Sequence, residues 1–464
     1  MRLNLTSTRR TALLCLLLSS GIFILWGFHR ASERPVGKCD FTAIYYGARC
    51  LIDHRDPYNP YEFESVYKAE GGEMPSDSPT LRMFRNAIFR CINFPSSLLL
   101  VAPLAMLPWG LASVLWLMLI AGCFMLAAFL MWNAAGSYAP RFAPLLICFV
   151  LVNGVFLLEL GNTAGIAVGL CIAAVWCFLK ERFVPAGILC MAVALALKPH
   201  DAGLVWLYFL LAGGACRKWA LQTLLVVGVV VLPSILWVSH VAPHWAQELH
   251  SNVQAGAARG GINEPGPSTE TFRGTDMVVN LQSPIAIFCD DPRVYNTVTY
   301  LVCGALLLLG AVRTLRARFS QSNAWFALAA IAALSMLPVY HRLHDAKLLL
   351  LTLPACAMLW AGGGPLKWSA GLLNTAAIVV TGDIPSTILM MIDKSLNGHV
   401  TGFTGRLLDL TLLRPAAPIL LATGIFYLWV YLRITAPDRE WQEAGNLAET
   451  PEQEADRAVS LASA

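Results

Sequence analysis

Residues 111–132 read LASVLWLMLIAGCFMLAAFLMW and contain no charged residue. One helix of this length can cross the hydrocarbon core of a bilayer, which takes about 20 apolar residues. Similar apolar runs recur along the chain, of which 57% is hydrophobic and 13% charged. A soluble domain carries about 25% charged residues. The sequence therefore predicts an all-α polytopic membrane protein.

Eleven more apolar segments predict further spans, which brings the total to about 12 transmembrane helices. They are residues 11–28, 142–160, 163–179, 183–197, 202–211, 219–238, 295–312, 324–340, 346–360, 366–380 and 415–432. Arg2, Arg9 and Arg10 precede the first segment and place the N-terminus in the cytoplasm. That segment is also compatible with a signal peptide, but its length and bulky end favour an uncleaved helix.

Positive charges between the segments indicate the topology, because Lys and Arg concentrate in cytoplasmic loops. In the preferred arrangement residues 94–107 do not span the membrane, and residues 183–211 form two short helices that meet at Lys198-Pro199. Both termini are then cytoplasmic. The alternative makes residues 94–107 a span and residues 183–211 one helix. It would put Arg141 and Lys180 outside, and we rank it second.

The domain organisation follows from these segments. Residues 1–433 form one transmembrane domain, with a first outer loop at residues 30–94 and a large outer loop at residues 240–294. Residues 40–52 have apolar side chains at helical spacing, which predicts a short interfacial helix on the membrane surface. Residues 434–464 have no apolar period and are expected to form a disordered cytoplasmic tail.

Polar residues gather at the outer ends of the predicted spans. Ionisable residues at a membrane are costly, so each is a functional candidate. The four clusters are Asp40 with Tyr45, Tyr46 and Arg49; Glu159 with Asn162; Lys198 with His200 and Asp201; and His341, Arg342, His344 and Asp345. Their convergence predicts a polar site that opens at one surface of the membrane.

Most of these residues also have simpler interpretations. Asp40 could cap the helix that follows it, Lys198 could extend its amine to the interface, and Glu159 and Asn162 could satisfy helix ends. Residues 341–345 favour function more strongly, because four of these five residues are ionisable and lie between two apolar spans.

The sequence gives no positive sign of a metal, a cofactor or a nucleic-acid partner. No Cys/His spacing resembles a zinc site, and no Gly-rich loop for a nucleotide sugar occurs. The net charge of +4 is small and spread along the chain, which argues against binding nucleic acid.

Four stretches in series resemble glycosyltransferase family 87, a family of GT-C class membrane enzymes that use polyprenyl-phosphate sugars. They are residues 40–49 with Asp56-Pro57-Tyr58; residues 93–108; Gly161-Asn162 with residues 186–199; and Leu337-Pro338 with His344-Asp345 and Pro354. The chain departs from the family at Gly161-Asn162, where the family often has Gly-Gln. The resemblance implies a GT-C-like bundle in the cell (inner) membrane with its site on the periplasmic side.

The resemblance also implies an inverting, metal-independent transfer of a hexose such as mannose to a lipid or glycan acceptor. Asp40 matches the catalytic aspartate of the family, which would act as general base. His344 and Asp345 would orient the sugar or move a proton. The substrate-binding candidates are Tyr45, Tyr46, Arg49, Asn162, Lys198, His200, His341 and Arg342, among which Lys198 and Arg342 would stabilise the leaving phosphate.

Two other functions compete with this interpretation. A transporter or flippase of a lipid-linked sugar would also need a polar site, but nearer the midplane and usually between repeats. A glycan polymerase or ligase with a similar donor is compatible with the large loop at residues 240–294. The partners expected in each case are membrane lipids and a lipid-linked sugar.

Overall fold

A computed structural model of the protein describes residues 7–34, 37–72, 86–259, 261–266, 278–396 and 402–433. The predicted tail at residues 434–464 lies outside this range. Most of the described chain is helical, and its extended pairing is one isolated bridge between Val278 and Arg342. The prediction of an all-α polytopic membrane protein is therefore confirmed.

The α-helices are numbered in chain order. They are α1 (Ser7–Glu33), α2 (Cys39–Ile52), α3 (Pro60–Ala69), α4 (Pro95–Ala105), α5 (Trp109–Ala135), α6 (Phe142–Val152), α7 (Val155–Glu159), α8 (Ala164–Leu179), α9 (Val184–Leu197), α10 (Pro199–Ala212), α11 (Gly214–Val241), α12 (Trp245–Ala257), α13 (Gln282–Phe288), α14 (Pro292–Arg316), α15 (Gln321–Leu334), α16 (Thr352–Gly362), α17 (Gly364–Val380), α18 (Asp383–Leu396), α19 (Gly402–Leu408) and α20 (Ala416–Arg433). A 3₁₀ helix at Asp345–Leu351 precedes α16, and a π-helical turn at Asp409–Leu413 follows α19.

Within the described residues, seven helical segments are long and apolar enough to cross a membrane, or eight if α17 and the bent segment after it form one span. Four apolar helices are shorter, namely α4, α8, α9 and α15. Most of the twelve spans predicted from sequence correspond to one of these segments. The count of about 12 itself depends on how the short helices lie in the bilayer and stays a prediction.

Helix α11 shows why the molecule needs lipid around it. Leu225, Val229, Leu232 and Leu236 are each 65% exposed or more. They follow one another at intervals of four, three and four residues, so they form a single apolar stripe along the helix. A stripe of this kind on a soluble monomer would be an aggregation site, whereas hydrocarbon solvates it.

The predicted helix at residues 40–52 is present as α2. Its buried residues include Ile44 and Tyr45 as well as Thr42 and Tyr46, so protein covers more than one face of it. Helices α4 and α3 pack against α2 and account for most of this burial. The predicted break at Lys198-Pro199 is also confirmed, because α9 ends at Leu197 and α10 begins at Pro199.

The span predicted at residues 324–340 is wrong in its second half, since α15 ends at Leu334 and the chain to His344 is irregular. This backbone finds its hydrogen bonds in a remote segment. The amides of Leu281 and Val279 donate to the carbonyls of Leu337 and His341, each at 2.9 Å. Irregular backbone at membrane depth is tolerated where protein satisfies it in this way.

The segment at residues 142–160 is also broken, between α6 and α7 at Asn153-Gly154. The carbonyl oxygen of Asn153 accepts a hydrogen bond of 2.6 Å from the Lys347 amine. That amine also lies 3.1 Å from the carboxylate of Asp383. The interruption in the helix therefore supplies an acceptor for a buried cation.

Candidate active site

The N-terminus of α2 is attached to the turn between α7 and α8. The first amides of a helix have no partner inside it. In this protein the amide of Lys38 donates to the carbonyl of Glu159 at 2.6 Å, and the amide of Asp40 donates to the carbonyl of Leu160 at 3.0 Å. These bonds place Asp40 beside Asn162, although the two are far apart in sequence.

Asp40 and Asn162 form a direct contact. The Asn162 side-chain amide donates to Oδ2 of Asp40 at 2.5 Å, while its own oxygen accepts from the amide of Ala164 at 2.8 Å. The second bond fixes which end of the Asn162 side chain points at Asp40. The N-cap residue of α2 is Lys38, so the interpretation of Asp40 as the helix cap is wrong. Asp40 itself is partly exposed.

Gly161 allows this close approach. Its φ of +63° lies in the left-handed region, and a Cβ atom on it would come within 2.8 Å of the Cβ of Phe41. Both facts require glycine at this position. The indole nitrogen of Trp116 donates to the Gly161 carbonyl at 2.8 Å, which holds the turn in place.

A second group of charges forms where α9 and α10 meet. The amine of Lys198 contacts the carboxylate of Asp345 and lies 3.4 Å from Oδ2 of Asp201. Burial acts to lower the pKa of Lys198, but Asp201 and Asp345 outweigh it and raise that pKa. All three side chains are buried or nearly so. Lys198 thus remains charged within this group.

Arg342 is held on the adjacent loop. Its guanidinium donates to the Ile262 carbonyl at 2.8 Å, to the side-chain oxygen of Asn263 at 3.0 Å and to the hydroxyl of Tyr340. Its backbone amide donates to Oδ2 of Asp345 at 2.8 Å. Asp345 therefore connects this loop to Lys198 on the neighbouring helix end.

The histidines complete the cluster. Nε2 of His344 lies 3.5 Å from Oδ1 of Asp345, and its Nδ1 is buried with no hydrogen-bond partner among the described residues. Burial lowers the pKa of His344 to about 4, so the ring is neutral near pH 7. The rings of His200 and His341 meet edge to face with centroids 5.0 Å apart.

The Asp40 group and the Lys198 group belong to one electrostatic neighbourhood. Burial raises the pKa of Tyr340; Arg342 and Lys198 oppose that rise, and Asp345 and Asp40 reinforce it. Charges act on one another mainly over short distances, so Asp40 lies near the loop that carries Tyr340 and Arg342. The structure thus brings together eight of the eleven predicted site residues: Asp40, Asn162, Lys198, His200, His341, Arg342, His344 and Asp345.

The other three predicted residues support α2 from its far side. The Tyr45 hydroxyl donates to the Leu107 carbonyl at 2.8 Å, and Arg49 donates to the Ala105 carbonyl at 3.2 Å and pairs with Glu70. The ring of Tyr46 stacks on Trp109. These contacts hold α2 against the end of α4 and do not reach the cluster.

The structure adds Tyr340 and Asn263 to the site. Asp201 belongs to the sequence cluster of Lys198 and His200, although it is not among the predicted site residues, and its Oδ2 lies 3.4 Å from the Lys198 amine. Tyr340 resembles the end of an apolar span. Asn263 lies in a polar loop, and only the fold shows that it contacts Arg342.

Glu159 has a different role from the cluster. Its carboxylate accepts a hydrogen bond of 2.7 Å from Arg30 near the end of α1. This pair fastens the first helix to the turn that carries Asn162. The simpler interpretation of Glu159, as a residue that satisfies a helix end, agrees better with this contact than a role in chemistry does.

The comparison with protein families gives one match. The model of glycosyltransferase family 87 matches residues 92–272. No curated protein and no solved structure matches the chain. The matched part contains Asn162, Lys198, His200 and Asp201, whereas Asp40 and residues 341–345 lie outside it. The resemblance seen in the sequence is therefore confirmed over residues 92–272, and this match, together with the apolar helices, supports a multi-pass membrane glycosyltransferase.

Proposed function

We propose that the protein transfers a hexose from a polyprenyl-phosphate donor to a lipid or glycan acceptor at the outer face of the cell membrane, with Asp40 as general base. The observation that carries the proposal is the position of Asp40. Its carboxylate is oriented by Asn162 and helps to raise the pKa of Arg342, and the residue is partly exposed. A base beside a cationic group suits attack on a sugar phosphate.

The reaction would proceed in one displacement. Asp40 takes the proton of the acceptor hydroxyl, whose oxygen forms a bond to the anomeric carbon of the sugar. The bond from that carbon to the phosphate oxygen breaks, and its electron pair leaves with the lipid phosphate. Attack from the side opposite the phosphate inverts the anomeric centre.

Arg342 and Lys198 would stabilise the charge that the leaving phosphate gains. Among the described residues, the guanidinium of Arg342 has hydrogen bonds from Nε and Nη2, and none is seen from Nη1. Nη1 is therefore available to a phosphate oxygen. The Lys198 amine is already paired with two carboxylates. It would therefore stabilise the phosphate through its positive charge more than through a free hydrogen-bond donor. The neutral ring of His344 can hydrogen-bond a sugar hydroxyl.

An apolar crevice beside α10 suits the tail of a lipid donor. Its cavity volume is about 70 Å³, and it is lined by α10, α14, α15 and α20. Leu204, Leu207 and Leu211 line it from α10 and continue the helical face that begins at His200. Leu204 lies about 6 Å along the helix axis from His200. A polyprenyl chain in the crevice would thus begin close to the charged cluster.

The role of Asp40 is tested by measuring sugar transfer by the Asp40→Asn variant. Asparagine keeps the shape of the side chain and removes its charge and basicity. We expect transfer of radiolabelled hexose from polyprenyl phosphate to a membrane lipid extract to fall by about 10²–10⁴. Asp53→Asn is the matched control, because Asp53 lies at the other end of α2 and is 40% exposed.

The control should transfer the sugar at the wild-type rate. Near-normal transfer by Asp40→Asn would remove Asp40 from the mechanism. Absence of transfer by the wild type with any polyprenyl-phosphate hexose would contradict the donor, and uptake of the intact lipid-linked sugar into vesicles would favour a flippase.

A further inference from the structure

Three buried or half-buried side chains of the cluster meet beside Lys198. His200 and Asp201 lie in the first turn of α10, and His341 lies on the irregular chain after α15. Nε2 of His341 is 3.4 Å from Oδ1 of Asp201, and Nε2 of His200 is 3.7 Å from the same oxygen. One ligand atom from each of the three residues lies within 4.8 Å of the other two.

Two of the three facing atoms lack hydrogen-bond partners among the described residues. They are Oδ1 of Asp201 and Nε2 of His341, both buried, whereas Oδ2 of Asp201 lies 3.4 Å from the Lys198 amine. Nδ1 of His341 lies 3.2 Å from the carbonyl of Val339, which can only accept, so the proton of a neutral ring belongs on Nδ1. Nε2 then presents a lone pair to the Asp201 oxygen. Such an arrangement needs a positive charge between the two atoms.

The spacing fits a tetrahedral metal ion. Zinc binds imidazole nitrogen and carboxylate oxygen at about 2.0–2.1 Å, so two ligands of one tetrahedron are separated by roughly 3.3 Å. The two nitrogen–oxygen distances of the triad are close to this value. A ligating histidine commonly donates its other ring N–H to a backbone carbonyl, as His341 is placed to do toward Val339.

We propose that His200, Asp201 and His341 bind one divalent transition-metal ion of the zinc class, with a fourth position open to water or a phosphate oxygen. Two histidines and one carboxylate with an open position form the usual ligand set of a catalytic zinc. Lys198 faces Oδ2 of Asp201 and is also paired with Asp345, so Oδ1 remains directed at the histidines.

The charge balance of the cluster supports a bound cation. Three carboxylates (Asp40, Asp201 and Asp345) stand against the two permanent cations Lys198 and Arg342. If the proposed donor is correct, its phosphate adds further negative charge. A divalent ion would change the net charge of these groups from negative to positive, whereas a proton on His341 would only bring that net charge to zero. The geometry of the triad does not depend on the donor or on Asp40.

The test measures metal rather than sugar transfer. The full-length protein, purified in detergent and stripped with a chelator, is equilibrated with Zn²⁺, and bound metal is measured by elemental analysis. We expect about one zinc per chain, and substitution with Co²⁺ should give the intense visible absorption of a tetrahedral site. His341→Ala and His200→Ala should each lose most of the bound metal.

His344→Ala is the matched control, because His344 is another buried histidine of the same loop that lies outside the triad. It should keep the wild-type stoichiometry. His200 is 35% exposed, so its variant tests the site even if His341→Ala misfolds. Equal metal content in wild type and His200→Ala, or no bound metal in the wild type, would overturn the proposal. Either result would leave the Asp40 experiment unaffected.

Discussion

At the scale of single residues, the side chain of Asn162 makes two hydrogen bonds that a substitution can separate. Its oxygen accepts from the amide of Ala164 at the start of α8, and its nitrogen donates to Asp40. Aspartate caps a helix about as well as asparagine. A change to aspartate therefore keeps the first contact, removes the second and places a like charge beside Asp40.

We expect Asn162→Asp to lower sugar transfer by about 10- to 100-fold, the equivalent of one lost hydrogen bond to a charged group. The protein should insert and unfold thermally like the wild type, because the hydrogen bond from the Ala164 amide is kept. The measurement is the initial rate of transfer together with the melting temperature in detergent. Wild-type transfer by this variant would show that Asn162 serves the helix alone.

At the scale of helices, the pair of Lys347 and Asp383 joins three elements. The Lys347 amine bonds the carbonyls of Asn153 and Thr381 as well as the Asp383 carboxylate, which in turn accepts from the amide of Phe156 at 2.7 Å. The two charged side chains are each 4% exposed. Removing one partner of a buried pair leaves the other charge uncompensated.

Lys347→Met should therefore lower the free energy of unfolding by about 3–5 kcal/mol. The double variant Lys347→Met with Asp383→Asn should recover much of this loss, since asparagine removes the charge and still accepts from Phe156. Reversible unfolding in mixed detergent micelles measures both. A double variant no more stable than Lys347→Met would show that the hydrogen bonds of the amine, rather than its charge, stabilise the junction.

The helices also show what sequence patterns can and cannot reveal. The period of apolar residues predicts α2, and Lys198-Pro199 predicts the break before α10. The irregular chain after Leu334 escapes prediction, because Met336, Leu337 and Val339 are as apolar as a span. What makes that chain irregular is its pairing with residues 278–281, and no local pattern carries information about so distant a partner.

The candidate site can also be predicted from the sequence only in part. Charged residues near the ends of apolar runs are rare, so Asp40, Lys198 and residues 341–345 are conspicuous in the sequence. The metal triad is not, because its ligands come from positions 200, 201 and 341 and have no short spacing. Tyr45, Tyr46 and Arg49 are close to Asp40 along the chain, but on a helix adjacent positions face different ways.

At the scale of the whole molecule, the topology can be tested with a native residue. Cys289 is exposed in the loop that we predict to be external. An impermeant maleimide should label it in intact cells, and Cys289→Ser should remove that signal. In the Cys289→Ser background, Arg316→Cys at the end of α14 should be labelled only after permeabilisation, because the arginines there favour the cytoplasm. Labelling of Arg316→Cys in intact cells would reverse the predicted orientation.

The ion pair of Lys198 and Asp345 joins positions 147 residues apart. During synthesis, Lys198 therefore reaches the membrane long before its partner has been translated. In that interval Asp201 is the one of its two carboxylate partners already present, so the charge of the amine is less fully compensated than in the finished site. Arrival of the later segment would complete the charge pairing and allow the helices to close. A chain that stops before Asp345 therefore lacks one of the two carboxylates that pair with Lys198 in the finished site.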